Sequence, residues 1–265
     1  MNMNRIHALF ERKKAEGKTA FILYVTAGFP DLETTEALIP ELEKAGADMI
    51  EMGVPFSDPI ADGPTIQKAS AVSLKAGTRL VKILALIRRL REKTQIPLLL
   101  FSAYNPLYKY GLEKLARDSA RAGVDGFLVP DLPPEEAEEL SLLCNTNDLC
   151  LVFLIAPTTP PDRARNIMEK SSGFVYYIST KGVTGARDRL DKSLVSHIAS
   201  LKKSTDKPIA VGFGISKPEH VALLKGKAEG IIVGSALVRE IAAGETLEER
   251  IQRAVKFTRT LAEQL

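Results

Sequence analysis

Short apolar runs alternate with longer amphipathic segments from one end of the chain to the other, and this alternation predicts an α/β fold of parallel strands joined by helices. Eight such units in a chain of 265 residues match the size of a closed barrel, so we expect a single (β/α)8 TIM barrel. No stretch rich in Pro, Gly or Ser divides the chain. We therefore expect one domain over residues 1–265.

The predicted strands are short runs rich in aliphatic and aromatic residues. They cover residues 19–25, 48–52, 97–102, 125–129, 149–154, 174–178, 208–212 and 229–233. Three of them open on an acid soon after a glycine, in Ala45-Gly-Ala-Asp48, Ala122-Gly-Val-Asp125 and, more loosely, Gly226-Lys-Ala-Glu229. A glycine tolerates the positive φ that ends a helix, so these echoes support a recurring helix-to-strand unit.

Amphipathic patterns predict the helices between the strands. They cover residues 31–45, 64–93 with a break near Gly77, 111–122, 134–144, 161–170, 191–203, 217–225, a short extra helix after Gly234 and strand 8, and 247–264. The segment from Met1 to Gly17 indicates an N-terminal helix laid across the bottom of the barrel. Ser216-Lys-Pro-Glu219 and Thr246-Leu-Glu-Glu249 both fit a capping box at a helix start.

An open, doubly wound sheet is the rival arrangement of such units. It normally carries a Gly-x-Gly-x-x-Gly phosphate loop at its first strand-to-helix turn. The corresponding turn here, Thr26-Ala-Gly-Phe-Pro30, lacks that pattern. The closed barrel is therefore the preferred fold.

The composition is ordinary for a globular protein and narrows the class of partner. The net charge is +3, from 36 basic and 33 acidic residues scattered along the chain, so nothing indicates a nucleic acid or an anionic membrane. Cys144 and Cys150 occur in a chain whose polar start has no secretory apolar region, so we expect a reducing cytoplasm and no disulfide. His7, His197 and His220 match no zinc spacing, so no metal is expected.

Glu51 lies at the end of the second predicted strand and opens the stretch Glu51-Met-Gly-Val-Pro-Phe-Ser-Asp-Pro-Ile-Ala-Asp-Gly-Pro-Thr65. Reactive groups of a barrel collect where strands end and loops begin. By strand alternation Glu51 shares a face with Met49 and should point inward over an apolar layer, where desolvation raises a carboxyl pKa and suits it to proton transfer. The alternative is a structural glutamate bonded to neighbouring backbone.

Asp62 stands in the loop after that strand, with Ser57 and Asp58 before it. One carboxylate on a rigid strand and another on a loop would suit two proton-handling roles in different environments. Acids in Pro-rich loops also form turns and cap helices, so Asp62-Gly63-Pro64 could be a turn that leads into a helix.

Glycines cluster at three successive strand ends late in the chain. Gly182-Val-Thr-Gly185, Gly212-Phe-Gly214 and Gly234-Ser235 follow predicted strands 6, 7 and 8. Glycines let backbone amides close on an anion, and Ser235 begins a short helix whose free amides favour a phosphate. We expect a phosphate site formed by Gly185, Gly214, Gly234 and Ser235, with three simple tight turns as the alternative.

Apolar side chains near the strand ends are candidates for the walls of the pocket, although each could equally belong to the core. They are Tyr24, Phe101, Leu128, Ile155, Tyr176 and Phe213. The segment from Thr180 to Asp191 is long for a strand-to-helix connection and has the composition of a lid that closes over a ligand.

Together these residues resemble a known family. The stretch from Glu51 to Gln67 is similar to the signature of the tryptophan synthase α subunit. Further motifs occur in that family's order and spacing: Phe29-Pro-Asp31, Tyr104-Asn-Pro106, Pro130-Asp-Leu-Pro133, Gly182-Val-Thr-Gly185, Gly212-Phe-Gly-Ile215 and Gly234-Ser-Ala236. The likeness extends over the whole length of the chain.

The resemblance implies a lyase that splits indole-3-glycerol phosphate into indole and glyceraldehyde 3-phosphate by a retro-aldol reaction. It implies that Glu51 is the general acid and base and that Asp62 holds the indole N–H. It places Tyr176 against the substrate and Thr184 in the lid. Two departures bear on substrate fit and lid closure: Ala103 stands where many relatives carry an aromatic residue, and Thr180-Lys181 where a serine-arginine pair is frequent.

The resemblance also implies a partner, the tryptophan synthase β subunit, in an α2β2 complex. Pyridoxal phosphate is then expected on the β subunit only, and this chain needs no cofactor of its own. Asp58, Asn105 and Pro133, in the loops after strands 2, 3 and 4, should face the partner.

Two other functions stay open from the residues alone. One is a phosphosugar isomerase or aldolase on the same barrel, but a Schiff-base aldolase would need a lysine at a strand end and no predicted strand contains one. The other is a catalytically weak α chain that only activates its partner. The presence of both carboxylates argues against that function.

Overall fold

The computed structural model describes residues 3–59, 62–178, 194–212 and 214–265, in which nine parallel strands form one sheet. The strands are β1 (Ala20–Thr26), β2 (Met49–Gly53), β3 (Leu98–Phe101), β4 (Gly126–Leu128), β5 (Cys150–Val152), β6 (Leu154–Ile155), β7 (Val175–Ile178), β8 (Ile209–Gly212) and β9 (Gly230–Val233). Their order in the sheet is β5-β4-β3-β2-β1-β9-β8-β7-β6. Since only Phe153 separates β5 from β6, both ends of this order lie in one chain segment, and the predicted barrel is confirmed.

Strand 5 of the prediction, residues 149–154, is the one predicted strand that the structure divides. The Phe153 amide bonds to the Ser171 hydroxyl at 3.0 Å, and the Leu151 amide bonds to the Ser172 hydroxyl at 2.7 Å. Side-chain hydroxyls thus accept hydrogen bonds from the amide N–H groups of Leu151 and Phe153. The chain accordingly pairs first with β4 and then with β7.

Twelve helices lie within the described residues. They are α1 (Arg5–Glu16), α2 (Leu32–Lys44), α3 (Pro64–Lys75), α4 (Leu80–Leu90), α5 (Tyr104–Tyr110), α6 (Leu112–Ala122), α7 (Glu138–Thr146), α8 (Pro161–Lys170), α9 (Leu194–Leu201), α10 (Pro218–Leu224), α11 (Ser235–Ala242) and α12 (Leu247–Ala262). In this described part of the chain, no helix is both long enough and apolar enough to span a bilayer.

The helix predictions succeeded where the pattern was periodic. The break near Gly77 separates α3 from α4, and the short helix after Gly234 is α11. Helix α5 was missed, since Asn105 was expected in the loop after strand 3; Pro106 lies in the first turn of this helix, where a proline is tolerated.

Of the two predicted capping boxes, one is confirmed and one is wrong. Thr246 and Glu249 form the reciprocal pair at the start of α12. Helix α10 instead begins after Lys217, with Pro218 in its first turn and no side-chain cap. The Ser216 amide donates to Nδ1 of His220 at 3.3 Å, an interaction that the sequence did not suggest.

The three acids that open strands share one structural task at the bottom of the barrel. Each carboxylate accepts a hydrogen bond from the amide N–H at the start of the neighbouring strand. The pairs are Phe21 with Asp48 at 2.8 Å, Leu98 with Asp125 at 2.7 Å, and Ile209 with Glu229 at 3.0 Å. The glycine before each acid has a positive φ. A base neutralises each acid: Lys13, Arg91 and Lys202 respectively. The acids therefore secure the strand starts and leave the opposite rim open to a ligand.

The core has two layers. The outer faces of the strands pack on the helices, and the inner faces fill the barrel with residues such as Ile22, Met49 and Leu99. Helix α1 closes the bottom, as predicted, because its buried Ile6, Leu9 and Phe10 join that interior layer. The interior is thus apolar beneath the rim, as the sequence analysis assumed for Glu51.

Candidate active site

The C-terminal ends of β1, β2, β3, β7, β8 and β9 surround one cavity. Its wall combines carboxyl groups, aromatic rings, aliphatic groups and glycines. The lining residues are Tyr24, Glu51, Asp62, Ile66, Phe101, Tyr176, Gly214, Ile215, Ile232, Gly234, Ser235 and Ala236. The two predicted catalytic acids and part of the predicted phosphate site therefore open onto the same space.

Glu51 lies in β2 with Tyr24 of β1 and Leu99 of β3 as its lateral neighbours. Its side chain points inward, as alternation predicted, and the residue is 1% exposed. Among the described residues its Oε1 atom has no hydrogen-bond partner. Burial in this apolar setting raises the pKa of Glu51 from 4.5 to about 8. The carboxyl group is thus mostly protonated at neutral pH and can both donate and accept a proton near it.

Asp62 precedes helix α3 and reaches the cavity from the other side. The Gln67 side-chain amide donates to the Asp62 carbonyl at 2.8 Å, and the Asp62 amide donates to the Pro59 carbonyl at 3.3 Å. The N-cap of α3 is Gly63 and no side chain caps the helix, so the carboxylate is not used as a cap. Burial raises the pKa of Asp62 from 3.8 to about 6, so this acid is mostly ionised at neutral pH. The two acids therefore differ in protonation, as their different environments suggested.

The opposite side of the cavity is lined by backbone. Gly214 has φ +86°, a conformation that favours glycine, and Gly234 is the N-cap of α11. No side chain caps α11, so the amides of its first turn, which begins with Ser235, can receive an anion. Of the predicted phosphate site, Gly214, Gly234 and Ser235 come together here. Gly185 lies outside the described residues.

Aromatic side chains form the walls. Tyr24 meets Phe101 edge to face, with ring centroids 5.6 Å apart, and Tyr176 lines the same cavity. Leu128 is fully buried in the interior layer below and does not line the cavity. Ile155 packs in the outer layer instead. Thr184, Phe213 and the predicted lid from Thr180 to Asp191 lie outside the described residues.

Two glycines at the rim have a spatial role that sequence reasoning missed. A Cβ at Gly53 would lie 2.0 Å from the Tyr24 hydroxyl oxygen, and a Cβ at Gly212 would lie 2.1 Å from that of Tyr176. Each glycine therefore leaves room for a tyrosine from a neighbouring strand. The available signal was that Gly53 follows Glu51 by two residues and so faces the same way. The aliphatic lining from Ile66, Ile215 and Ile232 was also missed, although alternation along β9 could have identified Ile232.

A second cavity adjoins the first and shares Tyr24, Asp62 and Phe101 with it. It extends outward to Asp58 and Ala103, so Ala103 lies beside this second cavity and not the first. Of the residues predicted to face a partner, Asp58 and Asn105 are exposed and Pro133 is half-buried, and all three belong to the loops and short helix after β2, β3 and β4.

The described strands do not support the Schiff-base aldolase that was considered from the sequence. None of the nine described strands carries a lysine, which a Schiff-base aldolase would place at a strand end. Within the same residues, no group of three or more His, Cys, Asp or Glu side chains is arranged to hold a metal ion.

Comparisons with known proteins agree on one family. A family model for the tryptophan synthase alpha chain matches residues 10–265. The tryptophan synthase alpha chain of Geotalea daltonii is 47% identical over 255 residues, which are 96% of this chain and 97% of the relative. The structure of Mycobacterium tuberculosis tryptophan synthase matches with a TM-score of 0.91 and 34% identity, covering 99% of this chain and 98% of that one. The tryptophan synthase subunit alpha of Legionella pneumophila matches with a TM-score of 0.91 and 33% identity over the same shares of the two chains.

The burial of Glu51 predicts a pH dependence of stability. The folded chain keeps a proton that the unfolded chain loses above pH 4.5, so Glu51 lowers the free energy of unfolding by about 1.4 kcal/mol for each pH unit up to about pH 8. We therefore expect the free energy of unfolding of Glu51→Gln, relative to that of the parent, to increase steadily from pH 5 to pH 8. Chemical denaturation at several pH values measures the difference.

The control for that measurement is Glu11→Gln, which changes an exposed glutamate on α1. Its stability difference from the parent should stay nearly constant over the same range. A Glu51→Gln difference that stays equally constant would show that the Glu51 carboxyl is not held protonated by burial.

Proposed function

This chain belongs to the tryptophan synthase α chain family and is a lyase that cleaves indole-3-glycerol phosphate in tryptophan biosynthesis, and on that premise we propose that Glu51 and Asp62 carry out the reaction. One observation carries the proposal: both acids and the uncapped start of α11 line a single cavity. Such a cavity can hold an indole ring at the carboxyl side and a phosphate at the helix side.

In the proposed reaction Glu51 first acts as an acid. Its proton is transferred to C3 of the indole ring, which places a positive charge on the ring nitrogen and makes the ring an electron sink. The Glu51 carboxylate then takes the proton from the hydroxyl of the glycerol carbon next to C3. As that C–O bond becomes a carbonyl, the electrons of the breaking C–C bond return to the ring, and Glu51 is again protonated. A pKa of about 8 supports both half-reactions, because the protonated and ionised forms of Glu51 then differ little in free energy near neutral pH.

Asp62 has the complementary role in this proposal. An ionised carboxylate beside the indole N–H accepts its hydrogen bond and stabilises the charge that grows on the nitrogen after C3 protonation. The pKa of about 6 supports this role, since the group is mostly ionised at the pH at which Glu51 is mostly protonated.

The remaining residues are proposed to bind the substrate. Tyr24, Phe101 and Tyr176 hold the flat ring, while the amides around Gly214, Gly234 and Ser235 hold the phosphate. Gly185 is proposed to complete the phosphate site, Thr184 to contact the substrate from the lid, and Phe213 to complete the apolar wall. Contacts with the phosphate would hold the reacting carbon next to Glu51, because binding energy from remote groups offsets the entropy lost when the reacting groups are oriented.

We further propose that the chain works in the cytoplasm as the α subunit of an α2β2 complex with the tryptophan synthase β subunit. The Mycobacterium tuberculosis structure that this chain resembles is one of tryptophan synthase. The second cavity supports the placement of the partner, because it leads from Asp62 towards the face that bears Asp58. Asn105 and Pro133 are proposed to lie on the same interface, and pyridoxal phosphate is expected on the partner only.

Replacement of Glu51 by Gln tests the acid and base role. The amide cannot transfer the proton, so we expect kcat for indole release to fall by at least about 10²–10⁴-fold. The dissociation constant for indole-3-glycerol phosphate, measured by calorimetry, should stay within a few-fold of the parent value. Glu11→Gln is the surface control, and near-normal turnover by Glu51→Gln would refute the role.

Replacement of Asp62 by Asn tests charge stabilisation at the ring nitrogen. The amide keeps the size of the side chain but loses the negative charge, so we expect kcat to fall by about 10²–10³-fold. Asp162→Asn is the matched control, because the Asp162 side chain is 96% exposed on α8, far along the chain from the loop of Asp62. Equal kcat values for the two variants would assign Asp62 to a structural role.

Charge reversal at Asp58 tests the partner face. The parent chain should co-elute with the β subunit of the same organism, and Asp58→Lys should weaken that complex, since like or unpaired charges at an interface are costly. Asp162→Lys makes the same charge change at an exposed site on α8 and should leave co-elution unchanged. Failure of the parent chain to co-elute would contradict the proposed complex, whereas equal behaviour of the two variants would contradict the proposed face.

A further inference from the structure

The Tyr24 side chain extends from β1 over the neighbouring strand β2, which carries Glu51. It lies in β1, 5% exposed, with Glu51 of β2 as its Cα partner in the sheet. Its hydroxyl oxygen lies only 2.0 Å from the place that a Cβ on Gly53 would occupy. The ring then reaches Phe101 of β3 on the far side of Gly53. The missing side chain at Gly53 is therefore what admits the tyrosine.

This placement brings the phenol close to the Glu51 side chain. Gly53 follows Glu51 by two residues, so the two positions face the same way and are separated by about 6.5 Å along the strand. The Tyr24 hydroxyl lies over Gly53, at the end of that interval towards the rim. The phenol and the carboxyl group therefore lie over the same strand and line the same cavity.

The chemistry of the two groups is complementary. Glu51 Oε1 is buried and has no hydrogen-bond partner among the described residues. Burial, followed by the charge of Asp62, raises the pKa of Tyr24 above its ordinary value; the Thr26 side chain lowers it by less, and the charge of Glu51 makes the smallest contribution, which again raises it. The phenol therefore stays protonated and keeps its O–H as a donor. An ionised carboxylate that lacks a donor in a buried site is costly, and a phenol is a suitable donor for it.

Among the described residues, the other titratable groups that line the cavity with Glu51 are Asp62, from the segment before α3, and Tyr176 of β7. Asp62 is an acceptor when ionised and cannot serve. Tyr176 is the competing donor, since its pKa is raised by burial and then by the charge of Glu51, but its hydroxyl lies over Gly212 of β8 and not over the strand of Glu51. Tyr24 is the phenol whose hydroxyl lies over the same strand as Glu51.

We propose that Tyr24 is a positioning residue for Glu51: after Glu51 has given its proton to the substrate, the Tyr24 hydroxyl donates a hydrogen bond to the carboxylate and holds it towards the hydroxyl from which it next takes a proton. This inference rests on the proposed acid and base role of Glu51. It assigns to Tyr24 a contribution beyond its ring, which lines the pocket.

The inference predicts how the Glu51 carboxyl titrates. A hydrogen bond to the ionised form lowers a carboxyl pKa, so its removal in Tyr24→Phe should raise the pKa of Glu51 by about one pH unit. The full-length chain is labelled with ¹³C at glutamate carboxyl carbons, and the Glu51 signal is identified by its absence in Glu51→Gln. The titration is followed without substrate. The Glu51-dependent limb of the kcat–pH profile should move to higher pH in the same variant.

Tyr177→Phe is the matched control. Tyr177 is the next residue after Tyr176, is equally buried, and turns away from the barrel to contact His197 through its hydroxyl at 3.3 Å. It loses the same buried oxygen, so it should change stability without a change in the Glu51 titration. Tyr176→Phe tests the competing donor. Thermal unfolding checks that each variant is folded, and Tyr24→Met carries the same prediction if Tyr24→Phe does not fold.

The outcomes separate this inference from the proposed function. A raised Glu51 pKa in Tyr24→Phe but not in Tyr177→Phe supports the inference. A Glu51 titration that is unchanged in Tyr24→Phe, or that moves only in Tyr176→Phe, overturns it while Glu51→Gln can still be inactive. Turnover by Glu51→Gln at a near-normal rate overturns the proposed function itself, whatever the titrations show.

Discussion

The burial of one carboxyl group over an apolar barrel interior is the constraint on which the rest of this site depends. Glu51 can have a pKa of about 8 only because the layer beneath it, with Met49 and Leu99, excludes water and supplies no charge. That layer in turn exists because the barrel closes and α1 covers its lower end. A break in closure at any strand would admit water and return the carboxyl towards its ordinary acidity.

The acidic side chains at the two ends of the barrel have opposite electrostatic surroundings. At the bottom, Asp48, Asp125 and Glu229 are each matched with a backbone amide and a base, so their charges are neutralised and structural. At the rim, the described residues around Glu51 include no basic side chain and leave Oε1 without a donor. Acids of the same type thus stabilise the fold at one end and carry a movable proton at the other, and the difference lies in what surrounds them.

At the rim of the barrel, two glycines leave room for tyrosine side chains from neighbouring strands. Gly53 and Gly212 lie in regular strands, where a glycine has no conformational advantage over other residues, and their benefit is the room that they leave for Tyr24 and Tyr176. The tyrosines bring aromatic surface and a hydroxyl to the cavity from positions lower in the barrel. A strand position without a side chain is therefore part of the construction of the pocket.

The sequence by itself determined the class of fold, the positions of most strands and helices, and the inward direction of Glu51, because the periods of apolar residues and the alternation of a strand are local properties. It also indicated Asp62 through its residue type in the loop after β2, and Gly214, Gly234 and Ser235 through glycines near strand ends. Only the tertiary structure decided that Leu128 packs below the cavity, that the fifth predicted strand divides at Phe153, and that Gly53 leaves room for Tyr24. Those outcomes depend on which side chains from distant parts of the chain meet across the sheet, and packing between strands leaves no local pattern in the sequence.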